Sequence, residues 1–176
     1  MANDPNWNLP EVPSFELSSP DFKNGDQLPL STRGSGEGAG SRSPTLSWSG
    51  APDATRSFAL TMYDPDAPTG SGYWHWAVYN IASTVTALPA DAGNPDVGLL
   101  PVGSITLPND ARKERYAGAA PPAGHGEHRY IFTVSALNVP SLDIPVGSTP
   151  AVLGFVMRNH IIGRAQLTGV TQTFVG

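Results

Sequence analysis

Apolar runs in this sequence are short, and glycine or proline closes most of them. With 19 glycines and 18 prolines in 176 residues, usage exceeds the average but stays below the level of low-complexity disorder. Breakers at that density leave little room for long helices, whereas strands need only about five or six residues. Within the runs the period is two. From Ser57 to Asp64, Phe58, Leu60 and Met62 alternate with Ala59, Thr61 and Tyr63. From Tyr73 to Ile81, alternation sets Tyr73, His75, Ala77 and Tyr79 against Trp74, Trp76 and Val78. From His128 to Leu137, it sets His128, Tyr130, Phe132 and Val134 against Arg129, Ile131, Thr133 and Ser135. Shorter strands are expected at 13–18, 45–48 and 103–107, and a last one near 166–174. Residues 85–101 read as a turn-rich excursion.

Helical spacing occurs once, late in the chain. Ser148-Thr149-Pro150 supplies a hydroxyl cap followed by proline, and Leu153, Val156, Met157, His160 and Ile161 follow, predicting a helix over 150–163. Runs of strands with one helix define an all-β core: two antiparallel sheets in a Greek-key sandwich with a few peripheral helices. The length suits a single domain over residues 1–176, with residues 1–12 and 33–43 expected to be loose.

Composition narrows the function. The chain has no cysteine, which excludes disulfides, thiolate metal sites and a cysteine nucleophile. A net charge of −5 disfavours nucleic acid and anionic bilayers as partners. No apolar stretch approaches the roughly 20 residues of a spanning helix, and residues 1–17 lack the pattern of a secretory signal, so the sequence reads as cytoplasmic. The Gly34-Ser35-Gly36-Glu37-Gly38 run lacks the strand and helix that a phosphate loop requires, and it reads as a plain loop. Ser71 lacks a nucleophile elbow. The Arg112, Lys113 and Arg115 cluster, beside Asp110 and Glu114, reads as a solvated loop.

Polar chemistry concentrates in two segments. The first is Asp64-Pro65-Asp66-Ala67-Pro68 with His75-Trp76; the second is Gly118-Ala119-Ala120-Pro121-Pro122-Ala123-Gly124 leading to His128-Arg129-Tyr130. In these segments the chain resembles the phosphatidylethanolamine-binding protein family, also called Raf kinase inhibitor-like, in its bacterial form. The resemblance runs from about Pro13 to the C-terminus. One departure is Ala119, where the family often has the first proline of its loop, and a looser loop is expected there.

The resemblance implies a two-sheet sandwich and a small pocket for phosphate-like anions and the phosphoethanolamine head group. Its residues would be Asp64, Asp66, His75, Pro122, His128 and Tyr130, with Tyr116 a further candidate. It also implies a homodimer. In such a pocket either aspartate would orient either histidine, leaving a second ring N–H for the anion and a second carboxylate for an ammonium. Tyr130 would add a hydroxyl, and the prolines a rigid rim.

Other readings stand beside this one. A protein-interaction module inhibiting a kinase or hydrolase is the main alternative, and a His/Asp acid–base enzyme on a small substrate is a lesser one. A two-histidine, one-carboxylate metal site from His75 and His128 is a third, but no ligand spacing supports it, and no metal or cofactor is expected. His125, in a Gly-His-Gly turn, reads as exposed, His160 as packing on the helix, and Tyr73 as sheet packing.

Overall fold

The period-two runs become strands, and the longest of them lie side by side. In the computed structural model, which describes residue 4, residues 6–34 and residues 38–175, eight strands and one α-helix follow each other along the chain. They are β1 (Glu16–Ser18), β2 (Leu46–Ser49), β3 (Ser57–Asp64), β4 (Tyr73–Ala82), β5 (Ala87–Leu88), β6 (Ile105–Thr106), β7 (His128–Leu137), α1 (Pro150–Met157) and β8 (Ile161–Thr171). Residues 1–3, 5, 35–37 and 176 lie outside the described residues, and with them fall parts of both segments expected to be loose and most of the Gly34–Gly38 run.

Two antiparallel sheets form, in the orders β1-β2-β5 and β6-β4-β3-β7-β8. In the larger sheet β7 returns to pair with β3, outside the β3–β4 hairpin and β6, the spatial order of a Greek key. The small strand β5 lies inside the stretch read as a turn-rich excursion.

β3 is the central strand and is buried along its whole length. Its alternation sends Phe58, Leu60 and Met62 into the core between the sheets, where Trp48, Leu46, Trp76, Phe132 and Leu167 also pack. Ala59 faces the other way, into a second core formed with Ala77, Tyr79 and Leu137 under Leu153 and Met157 of α1.

The helix starts as its sequence dictates, with the Thr149 hydroxyl accepting the Val152 N–H and Pro150 in the first turn. It ends at Met157 rather than Gly163, and β8 begins at Ile161. The reason is the ladder: Ile161 pairs with Leu137 and Gly163 with Ala136. A β-branched pair beside a long strand gains more from that pairing than from another helical turn. His160 therefore sits in the connecting turn, with its ring nitrogen Nδ1 on Asn138 Oδ1 at 3.2 Å.

Strict alternation fails in one place that matters. Met62 pairs with Trp76 but Tyr63 pairs with Trp74, so β4 carries one extra residue, His75, in a β-bulge. Trp74 consequently packs on Tyr63, with ring centroids 4.4 Å apart, on the helix side of the sheet. His75 leaves the face of Ala77 and Tyr79 and turns toward Tyr130. Among the described residues no helix is long and apolar enough to cross a membrane.

Candidate functional site

The three long strands deliver their polar ends to one edge of the sandwich. Asp64 closes β3, His128 opens β7, and the bulge of β4 swings His75 toward both. Asp64 Oδ1 accepts the Asp66 N–H at 2.8 Å, the Asx turn that an Asp-Pro-Asp sequence favours. The other oxygen, Oδ2, accepts Nδ1–H of His128 at 2.8 Å. This hydrogen-bonded pair is enclosed, with side chains 4% and 1% exposed. Asp64 thereby fixes both the ring and its tautomer.

The His75 ring donates Nδ1–H to the Ala117 carbonyl at 2.9 Å, which leaves Nε2 as the remaining nitrogen. Burial holds its pKa below the ordinary imidazole value, outweighing the Ala117 hydrogen bond and the charges of Asp64 and Asp110. Tyr73 lies 4.8 Å from this ring and Tyr130 5.3 Å from it, edge-on, between centroids. The Tyr130 hydroxyl is fully buried beside Asp64 and the Ala120 backbone. Burial, helped by the charge of Asp64, pushes its pKa up, so it remains a donor.

These groups wall a cavity of about 360 Å³. Asp64, His75, His128 and Tyr130 supply its polar surface, and Ala67, Pro68, Tyr73, Pro121 and Pro122 its apolar rim. No lysine or arginine is among its described lining residues. Positive charge there can come only from an imidazolium.

Five of the seven residues singled out in the sequence thus meet around one cavity: Asp64, His75, Pro122, His128 and Tyr130. Asp66 does not join them. Its carboxylate accepts Nε–H and an Nη2–H of Arg129 at 2.8 and 2.7 Å, and the Arg129 backbone N–H at 2.9 Å. That pairing holds its carboxyl below the usual range and ties the 64–68 turn to β7. The second carboxylate expected to meet an ammonium is therefore committed elsewhere.

Tyr116 also stands apart. Its hydroxyl donates to the Thr32 carbonyl at 2.8 Å and its ring packs edge-on against Trp76, while its edge borders a neighbouring polar hollow lined by Arg42, Lys113 and Arg115. Two of the cations read as solvated thus face this hollow. The expected loosening at Ala119 does not appear: its N–H donates to Thr32 O at 3.3 Å and its carbonyl accepts Gly34 N–H at 2.8 Å.

Two contributors escaped the sequence reading. Tyr73 lines the cavity, a role signalled only by sharing the alternation parity of His75. His125, exposed as expected, places Nδ1 2.7 Å from Nε2 of His128. The three-residue spacing of the two histidines across a glycine turn was the available signal. With Asp64 on one nitrogen and His125 on the other, both ring nitrogens of His128 are engaged within the chain. Among the described residues no cluster of three or more His, Asp or Glu is placed to hold a metal.

The fold and site define a class: a two-sheet β-sandwich with a histidine–aspartate cavity at the strand ends. The family model for phosphatidylethanolamine-binding protein matches residues 18–172, and the chain belongs to that family. It is 44% identical to the UPF0098 protein YbcL of Escherichia coli (strain K12) over 91% of this chain and 88% of that one. It is 41% identical to YbhB of the same organism, over 89% and 99%. The crystal structure of E. coli YbcL superposes with a TM-score of 0.85, covering 90% of this chain and 98% of that chain at 43% identity. A Mycobacterium tuberculosis relative, LppC, whose name carries the word lipoprotein, is 34% identical over 95% of this chain and 75% of that one.

Proposed function

We propose that this protein binds a small phosphate-bearing or otherwise anionic ligand, a phosphoethanolamine-like head group included, in the cavity between Asp64, His75, His128 and Tyr130, and that its role is modulatory. The observation that carries this reading is the convergence of His75, His128 and Tyr130, three side chains with N–H or O–H groups, on the wall of one cavity whose remaining lining is mostly apolar. The size of the cavity fits a head group, and the proline rim lowers the ordering cost of binding.

Charge sets the conditions. With no lysine or arginine lining the cavity, an anion is held by neutral donors and by imidazolium, so affinity declines as pH rises through the imidazole range. Calorimetric titration with phosphoethanolamine near neutral pH tests the reading. Saturable binding by the wild type, weakened in Tyr130→Phe and lost in His128→Asn, is the expected result. Absence of binding by the wild type would sink it and favour a protein-interaction module.

A further inference from the structure

His128 has two ring nitrogens, and both are taken without any ligand. Nδ1–H is donated to Asp64 at 2.8 Å, so Nε2 faces the Nδ1 of His125 at 2.7 Å. An anion in the cavity cannot receive an N–H from His128 while that contact stands. We infer that His125 is a built-in competitor for His128, an imidazole within the chain that an entering anion displaces from the His128 Nε2.

Three features fit a displaceable group better than a structural one. The ring is exposed, and its side-chain hydrogen bonds and ring contacts among the described residues are with His128 alone: the one hydrogen bond and an edge-on approach with centroids 4.9 Å apart. The turn that carries it is held by its backbone instead, through His125 N–H on Pro122 O at 3.1 Å and Gly124 N–H on Thr173 O at 2.9 Å. The ring can therefore swing on its side-chain torsions while the turn stays in place. Its neighbours Gly124 and Gly126 have φ of 74° and 95°, in the left-handed region, which keeps bulky side chains away from the ring on either side.

The partner has the opposite character. His128 is 1% exposed, and a buried ring nitrogen without a partner is costly. His125 supplies that partner before the exchange, and the anion supplies it afterwards. With Nδ1–H committed to Asp64, Nε2 donates to an anion only when it also carries a proton, so the exchange takes up one proton at Nε2, from solvent or from an acidic phosphate, and favours oxyanions over neutral groups of the same size.

This inference rests on the anion-binding reading, and one experiment separates the two. Wild-type protein, His125→Ala and His128→Asn are titrated calorimetrically with inorganic phosphate at neutral pH. Removing the competitor should tighten phosphate binding roughly two- to tenfold, the equilibrium equivalent of one net hydrogen bond, while His128→Asn loses binding. In ¹⁵N-labelled wild-type protein, saturating phosphate should bring the His125 ring nitrogens to the shifts of a free, exposed imidazole. Equal or weaker binding by His125→Ala, or His125 shifts that phosphate leaves unmoved, overturns the displacement and leaves the pocket standing. Undiminished binding by His128→Asn, or no binding by any of the three, removes both readings.

Discussion

Removing one oxygen atom separates stability from binding at Tyr130. Its hydroxyl lies buried beside Asp64 at the cavity wall, so Tyr130→Phe should weaken phosphate binding severalfold, the equivalent of one net hydrogen bond of about 1 kcal/mol, while the fold stays in place. Thermal unfolding with and without phosphate reads both effects, and a variant that phosphate stabilises as much as wild type would contradict the assignment. His75 gives a signed pH effect. Burial holds its pKa below the ordinary 6.5, so the unfolded chain takes up the proton more readily than the folded one. The stability that neutral His75 contributes is complete above about pH 6.5 and is lost as pH falls toward the folded value. Urea denaturation at pH 7.5 and 5.5 should show a loss in wild type that shrinks in His75→Gln. Asp66 has a lower window: held down by Arg129, its contribution is present above the ordinary 3.8 and disappears as pH falls through the depressed value.

Elements explain why those residues meet, and one short segment does much of it. Residues 116–120 form the wall between the cavity and the polar hollow, pinned by Tyr116 to Thr32 and by Ala119 to Gly34 and Thr32. Gly118 makes this possible: a Cβ there would lie 2.4 Å from Gly34 N and 2.5 Å from the Arg33 carbonyl carbon. Both neighbours are backbone, so Gly118→Ala should destabilise by about 1–3 kcal/mol and weaken phosphate binding together, as urea titration and calorimetry would measure. Much of this level was legible in the sequence. β3 and β7 have the predicted bounds because their alternation is unbroken, and Asp64 and His128 follow from them. The bulge at His75 was not legible, since one extra residue leaves no mark in a period-two pattern and its cause lies in the partner strand. The end of α1 was hidden likewise, because 158–163 suit a helix until Leu137 and Ala136 compete for them. Asp66 looked like a site residue because its motif is indifferent to Arg129, a competitor 63 positions away.

At the scale of the whole molecule, the site belongs to no single part of the chain. Its central histidine–aspartate pair joins residues 64 positions apart, one on each of two neighbouring strands, while β4 of the hairpin contributes His75. Closing a loop of that length costs on the order of 3–4 kcal/mol of chain entropy, before the constant term, and β3–β7 pairing must form before its contacts repay it. Refolding should therefore be governed by this long-range step. Tryptophan fluorescence and the capacity to bind phosphate should recover with the same slowest rate after dilution from urea. Recovery of binding ahead of fluorescence would show the site assembling without its sheet. The same geometry bears on synthesis. A nascent chain that has emerged only as far as residue 127 holds the finished β3–β4 hairpin and Asp64, but β3, buried along its whole length in the native fold, still has one edge unpaired. Until β7 arrives, that edge is the segment of this protein most open to wrong partners, and the arrival that ends the exposure is also the one that brings His128 to Asp64.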